Sequence, residues 1–81
     1  MPYDLDHPYR PGALLRHYKG GRYRVTGLCL IEATKETGVL YEPQQGDERV
    51  TWLRPLKEFG DKVTLPDGRE VLRFEAVEAA P

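Results

Sequence analysis

Turn-forming residues recur so closely along this chain that they leave room only for short extended runs. Gly-Gly at 20–21, ATKET at 33–37, QQGDE at 44–48 and Pro-Asp-Gly at 66–68 each separate two runs rich in β-branched, aromatic and leucine residues. No run has both the length and the 3.6-residue periodicity of a full helix. The pattern predicts six short strands, at residues 13–18, 22–31, 38–43, 49–55, 62–65 and 69–77.

The clearest helical signal is a single turn in the segment PLKEFG, between the fourth and fifth predicted strands. Pro55 suits its first position, Gly60 suits its end, and Phe59 can point back into the core. Because the chain has only 81 residues, its strands must bury one shared inner face. We therefore expect an all-β, SH3-like barrel of five to six short antiparallel strands at residues 13–77, with an N-terminal arm at 1–12 and a C-terminal tail at 78–81.

The second, fourth and last strands indicate which side chains face the core. Alternation predicts one inner face of the second strand, made of Tyr23, Val25, Gly27, Cys29 and Ile31. Gly27 within this run suggests a bulge or a bend at a barrel corner. The last strand points three side chains inward, those of Leu72, Phe74 and Ala76. Trp52 shares a face with Val50, so burial is its default interpretation and an exposed ligand platform is the alternative.

The stretch RHYKGGRYRV at residues 16–25 predicts a β-hairpin, because a phosphate-binding glycine loop would lead into a helix and here strand lies on both sides. If Gly20 and Gly21 form a two-residue loop, one face carries Leu14, Tyr18, Tyr23 and Val25. The other face then carries the basic or imidazole side chains His17, Lys19, Arg22 and Arg24. In this register Arg16 faces the core, which calls for a carboxylate partner or else for a three-residue loop that shifts the pairing.

The basic hairpin contrasts with the rest of the chain. Residues 1–30 hold five Lys/Arg and two Asp/Glu, residues 31–81 hold seven and eleven, and the formal net charge is −1. This balance argues against a protein that coats nucleic acid through bulk charge. The hairpin patch is either a solvated outer face or a binding site for an anion.

The residue types limit the chemistry. The chain contains no serine, which excludes a serine nucleophile, and Cys29 lies in the apolar run GLCLI, which is typical of a buried structural thiol. A metal site would have to use Asp4, Asp6 and His7, in a Pro-bounded arm that is more typical of a solvated loop. We therefore expect no metal and no cofactor. The single cysteine, and the lack of an apolar run of about 20 residues or of a secretory signal pattern, predict a cytoplasmic protein without membrane contact.

A series of motifs runs in order through the chain from Pro11 to Val77. It comprises RHYKGG followed by Tyr23, Val25 and Gly27, then VLY at 39–41, Trp52 with Arg54 and Pro55, Phe59, and Arg73 with Phe74. This series resembles a family of small bacterial proteins known only as a domain of unknown function. The resemblance implies an SH3-type barrel and implies no activity.

The chain departs from that family after the second strand. The family usually carries the polar block His-Ser-Glu-Thr there, whereas this chain has Ile31, Glu32, Ala33 and Thr34. Any chemistry or ligand binding by that block is therefore expected to be lost or altered. What remains of the family's polar features is the hairpin, together with Trp52, Arg54 and Arg73.

These features favour a non-enzymatic binding module for a peptide or protein partner, because SH3-type barrels commonly present a shallow groove with aromatic side chains. The aromatic supply is Tyr18, Tyr23, Tyr41 and Trp52, and the candidate binding residues are His17, Lys19, Arg22, Arg24, Trp52 and Arg54. RNA binding through the basic hairpin is the alternative. A small enzyme would need Glu36 or Glu42 beside His17 as acid and base, and we expect this function less than either kind of binding.

Overall fold

The protein folds into short antiparallel strands joined by tight turns, and the computed structural model describes residues 5–46 and 49–77. The strands are β1 (Leu14–His17), β2 (Arg22–Leu30), β3 (Thr37–Pro43), β4 (Trp52–Pro55), β5 (Lys62–Thr64), β6 (Glu70–Leu72) and β7 (Phe74–Val77), and a 3₁₀ turn spans Leu56–Gly60. Five strands form a curled sheet in the order β4-β3-β2-β1-β7, and β5 and β6 form a separate hairpin. This half-open barrel confirms the predicted all-β, SH3-like fold. Within the described residues, no helix is long and apolar enough to cross a membrane.

Four predicted strands match the observed ones to within one residue at each end, and two differ more. The fourth begins at Trp52 instead of residue 49, and the run at 69–77 is divided into β6 and β7. The division falls at Arg73, whose backbone is held by two hydrogen bonds: its N–H donates to the Asp61 carbonyl and its carbonyl accepts from the Tyr18 N–H, both at 3.0 Å. The chain therefore leaves the β5–β6 hairpin and joins the edge of the main sheet at a fixed point.

The hairpin between β1 and β2 has a three-residue loop. The predicted two-residue loop was therefore wrong, and the alternative three-residue loop, which shifts the strand pairing, is confirmed. Leu14 lies opposite Arg24 and Arg16 lies opposite Arg22. The Gly20 N–H donates to the His17 carbonyl at 2.8 Å, and Gly20 has a φ of 101°, which a residue without Cβ adopts at little cost. Because the pairing moves by an odd number of residues, every β1 side chain changes face.

The changed register reverses the predicted faces of β1. Leu15, rather than Leu14, is fully buried, and His17 packs on the inner side against Phe74. Arg16 lies on the outer face, where its guanidinium forms an ion pair with Glu75 at 3.0 Å. The expected carboxylate partner from the acidic half of the chain is therefore present, but on the opposite face from the one predicted.

The bulge predicted near Gly27 is confirmed by a shift of register between Val25 and Gly27. The extra residue at this bulge exchanges the faces of the rest of the strand, which simple alternation did not predict. Leu28 packs against the core, whereas Cys29 faces the outer side and lies beside Gly38. A Cβ on Gly38 would come within 2.8 Å of the Cys29 Sγ, so the close approach requires glycine.

The core is a compact group of aromatic and aliphatic side chains, made of Tyr9, Leu15, Val25, Val39, Tyr41, Phe59 and Phe74. Phe59 is completely buried, as predicted for the helical turn. Tyr9 comes from the arm that the sequence indicates as a loop, and its hydroxyl donates to the carbonyls of Phe59 and Phe74 at 3.4 and 3.3 Å. The arm therefore contributes a core side chain.

Candidate functional site

Basic side chains from three separate segments lie near His17 and the ring of Phe74. His17, at the end of β1, meets this ring edge-on with 4.9 Å between ring centroids, and the Arg54 guanidinium carbon of β4 lies 5.4 Å from the same centroid. Arg73 directly precedes Phe74, and the backbone N–H of Lys19 donates to the Nδ1 atom of His17 at 3.2 Å. The charges of Arg73, Lys19 and Arg54 all lie close enough to act on His17. We call His17, Lys19, Arg54 and Arg73 the basic site.

The basic site has few counter-charges. Arg54 approaches Glu58 at 3.4 Å, whereas neither Lys19 nor Arg73 forms an ion pair with any residue that the structure describes. Burial lowers the pKa of His17 below its usual value, and the positive charges of Arg73, Lys19 and Arg54 lower it further. A neutral imidazole is therefore surrounded by cations.

The lowered pKa predicts that the protein loses stability in mild acid. In the unfolded chain His17 has its ordinary pKa of about 6.5, so the unfolded chain takes up a proton more readily than the folded state. The free energy of unfolding is therefore highest above this pH and falls as the pH decreases toward the lower pKa of the folded state. We expect the thermal midpoint to drop between about pH 7.5 and about pH 5, and His17→Gln to reduce this drop. Thermal unfolding followed by circular dichroism measures it, and parallel declines in both proteins would contradict the assignment.

Trp52 lies beside the basic site on the same face of β4 as Arg54. It stands directly opposite the buried Tyr41, yet 46% of the residue is exposed, so its default interpretation as a core side chain was wrong. Next to His17, a cleft of about 220 Å³ lies between the hairpin loop and β6. It is lined by Tyr18, Leu65, Val71 and Leu72 and also by the charged residues Arg16 and Glu75. The basic site thus lies between the exposed Trp52 and a cleft with a mixed apolar and charged lining.

The predicted hairpin patch is divided between two faces. His17 belongs to the basic site, whereas Arg22 and Arg24 lie on the outer face of β2 together with Arg16. A shallow groove of about 470 Å³ follows these three arginines, and its other lining residues are Leu14, Leu15, Tyr23, Gln44 and Val77. We call it the outer groove. Arg24 lies opposite Glu42 and Arg16 is paired with Glu75, so carboxylates offset part of its charge.

The carboxylates considered for an enzyme have other partners. Glu36 accepts a hydrogen bond from Lys57 at 3.1 Å, and Glu42 accepts one from the Thr51 hydroxyl at 2.8 Å. Among residues 5–46 and 49–77, no group of three or more His, Cys, Asp or Glu side chains could hold a metal ion. Asp4, one of the three residues considered for a metal site, lies outside the described residues.

Arg73 was absent from the candidate binding residues although it belongs to the basic site. Its signal was present in the Arg73-Phe74 motif of the family resemblance, but nothing local connects that motif with His17 or Arg54. The three residues approach one another only because β7 pairs with β1 and β4 closes the other side of Phe74. The fold, and not the spacing of residues, brings them together.

Comparisons with known proteins agree with this fold. The model of the family described as protein of unknown function (DUF1653) matches residues 13–76. A crystal structure of a DUF1653 protein from Bordetella bronchiseptica is 31% identical in sequence, with a TM-score of 0.72, and the match covers 89% of this chain and 92% of that one. A comparison with curated proteins found no match. The resemblance noted from the motifs is therefore confirmed.

Proposed function

The chain belongs to the DUF1653 family of proteins of unknown function, and we propose that it is a non-enzymatic binding module for a peptide segment of a partner protein. The observation that carries this proposal is the exposure of Trp52 beside the basic site. A large, rigid side chain that is half exposed next to fixed polar groups is typical of residues that dominate binding energy. The cleft lined by Tyr18 and Leu72 supplies a second apolar contact on the other side of His17.

A binding role is supported over catalysis by the surroundings of His17. Its neighbours in the basic site are cations, and among the residues that the structure describes no carboxylate forms an ion pair with it to act as acid or base. The outer groove supports RNA binding less well than the basic site supports a peptide, because Glu42 and Glu75 lie among its arginines. An excess of uncompensated positive charge is what a phosphate backbone requires.

Peptide selection against the immobilised protein tests the proposal, with Trp52→Ala and Leu53→Ala as a matched pair. Leu53 is 49% exposed, close to the value for Trp52. It pairs with Leu40 and points to the other face of β4. We expect Trp52→Ala to weaken binding of the selected peptides by about tenfold or more and Leu53→Ala to change it less than about twofold. Failure to select any peptide, or equal binding by both variants, would contradict the proposal.

A further inference from the structure

The basic site carries more positive charge than the described part of the chain neutralises. The chain as a whole has 13 acidic and 12 basic side chains, so its charges could balance locally. Within the described residues, however, Glu58 is the one carboxylate in ion-pair contact with the site, at 3.4 Å from Arg54. Lys19 and Arg73 form no such pair there. The site is therefore complementary to an anion that residues 5–46 and 49–77 do not supply.

Two donors of the site lack acceptors. The Nε atoms of Arg54 and Arg73 are buried, and neither has a hydrogen-bond partner in the structure. Buried donors of this kind are costly unless an acceptor reaches them. Both arginines are partly exposed, so a carboxylate that binds beside them can accept hydrogen bonds from the accessible part of a guanidinium group, whose planar fork matches its two oxygens.

The side chain of Arg54 and the backbone of Arg73 are held in place before any ligand arrives. Arg54 stacks against the ring of Phe74, which is only 3% exposed. The backbone of Arg73 is fixed by the hydrogen bonds of its N–H to Asp61 and of its carbonyl to Tyr18. Groups fixed in this way lose little conformational entropy when they bind a ligand.

We infer that the peptide recognised by this module is acidic, and that one of its carboxylates binds between Arg54 and Arg73 beside His17. This inference rests on the proposed function and adds the chemical class of the partner. Trp52 and the cleft at Leu72 then contact apolar side chains on either side of that carboxylate. A peptide fits better than a nucleic acid, because the exposed Trp52 and the apolar residues of the cleft lie beside the arginines and can contact the side chains that flank a carboxylate.

An NMR titration tests the inference with defined probes. Acetylated and amidated hexaglutamate is added to labelled protein at constant ionic strength, with hexaglutamine as the uncharged control. We expect hexaglutamate to shift the Nε–H signals of Arg54 and Arg73, and hexaglutamine to leave them in place. Absence of shifts at these two signals would overturn the inference.

Variants separate the basic site from general charge. Arg54→Gln and Arg73→Gln are each expected to weaken hexaglutamate binding by about tenfold, whereas Arg24→Gln, which removes one exposed charge from the outer groove, should change it less than about twofold. Thermal unfolding of each variant verifies that it is folded. Equal weakening by all three variants would overturn the inference, because it would show binding by net charge.

Two further outcomes distinguish this inference from the proposed function. Selected peptides that require Trp52 but bind Arg54→Gln and Arg73→Gln as well as the wild type would overturn the acidic partner and leave the peptide module standing. A hexauridylate oligonucleotide that binds the same two arginines more tightly than hexaglutamate would overturn the peptide assignment in favour of nucleic acid.

Discussion

Replacing Phe59 by alanine is expected to remove about 3–5 kcal/mol from the free energy of unfolding, which is much of the stability of so small a domain. The residue is completely buried, and its ring centroid lies 4.7 Å from that of Tyr9 and 5.2 Å from that of Phe74. The cavity opens at the point where the arm, the 3₁₀ turn and β7 meet. Because three separate segments line it, the site cannot collapse by moving one of them.

Denaturant unfolding measures this loss as a lower midpoint with an unchanged slope. Leu53→Ala is the matched control, because it also removes a large apolar side chain but one that is 49% exposed, and it should cost less than about 1 kcal/mol. If Phe59→Ala unfolds no more easily than Leu53→Ala, the 3₁₀ turn does not anchor the core.

The strands could be predicted because the residues within each turn determine its conformation. The Pro-Asp-Gly turn at 66–68 closes a hairpin in which the Gly68 N–H donates to the Leu65 carbonyl and Gly68 has a φ of 90°. The 3₁₀ turn likewise begins after Pro55 and ends at Gly60. In both places the residue that shapes the backbone lies inside the turn it shapes, so neighbouring residues carry enough information.

The faces of β1 could not be predicted as securely. A Gly-Gly pair allows a two-residue loop in which both glycines have positive φ, and it equally allows a three-residue loop in which only the first does. The choice moves Leu14, Arg16 and His17 to the opposite side of the sheet. The packing of Leu15 against the core decides between the loops, and that packing depends on β7, about 60 residues further along the chain.

The basic site shows the same limit at the level of function. The sequence identified His17, Lys19 and Arg54 as candidates but grouped the first two with Arg22 and Arg24 through the wrong register. Arg73 was identified only through the Arg73-Phe74 motif of the family resemblance. When closure of a barrel brings charges together, their spacing in the sequence follows no pattern. Each of the three segments is shaped by its own neighbouring residues and carries no sign of the other two.

Tyr9 is the core residue that no local pattern indicated, and Tyr9→Ala is expected to cost about 3–5 kcal/mol of stability. The residue is 8% exposed, and its ring packs against Phe59. It lies outside the family match at residues 13–76, in a segment with Pro8 and Pro11 on either side of it and no strand periodicity. A loop residue can carry this much stability because burial, and not regular secondary structure, determines the hydrophobic contribution.

Two variants separate the ring of Tyr9 from its hydroxyl and from the arm in general. Tyr9→Phe keeps the ring and loses two long hydrogen bonds to the carbonyls of Phe59 and Phe74, so we expect a loss of about 1 kcal/mol. Arg10→Ala changes an exposed neighbour and should stay within about 0.5 kcal/mol of the wild type. Equal stability of Tyr9→Ala and Arg10→Ala would mean that the barrel holds together without its arm, whereas the expected order makes residues 5–12 part of the folded domain.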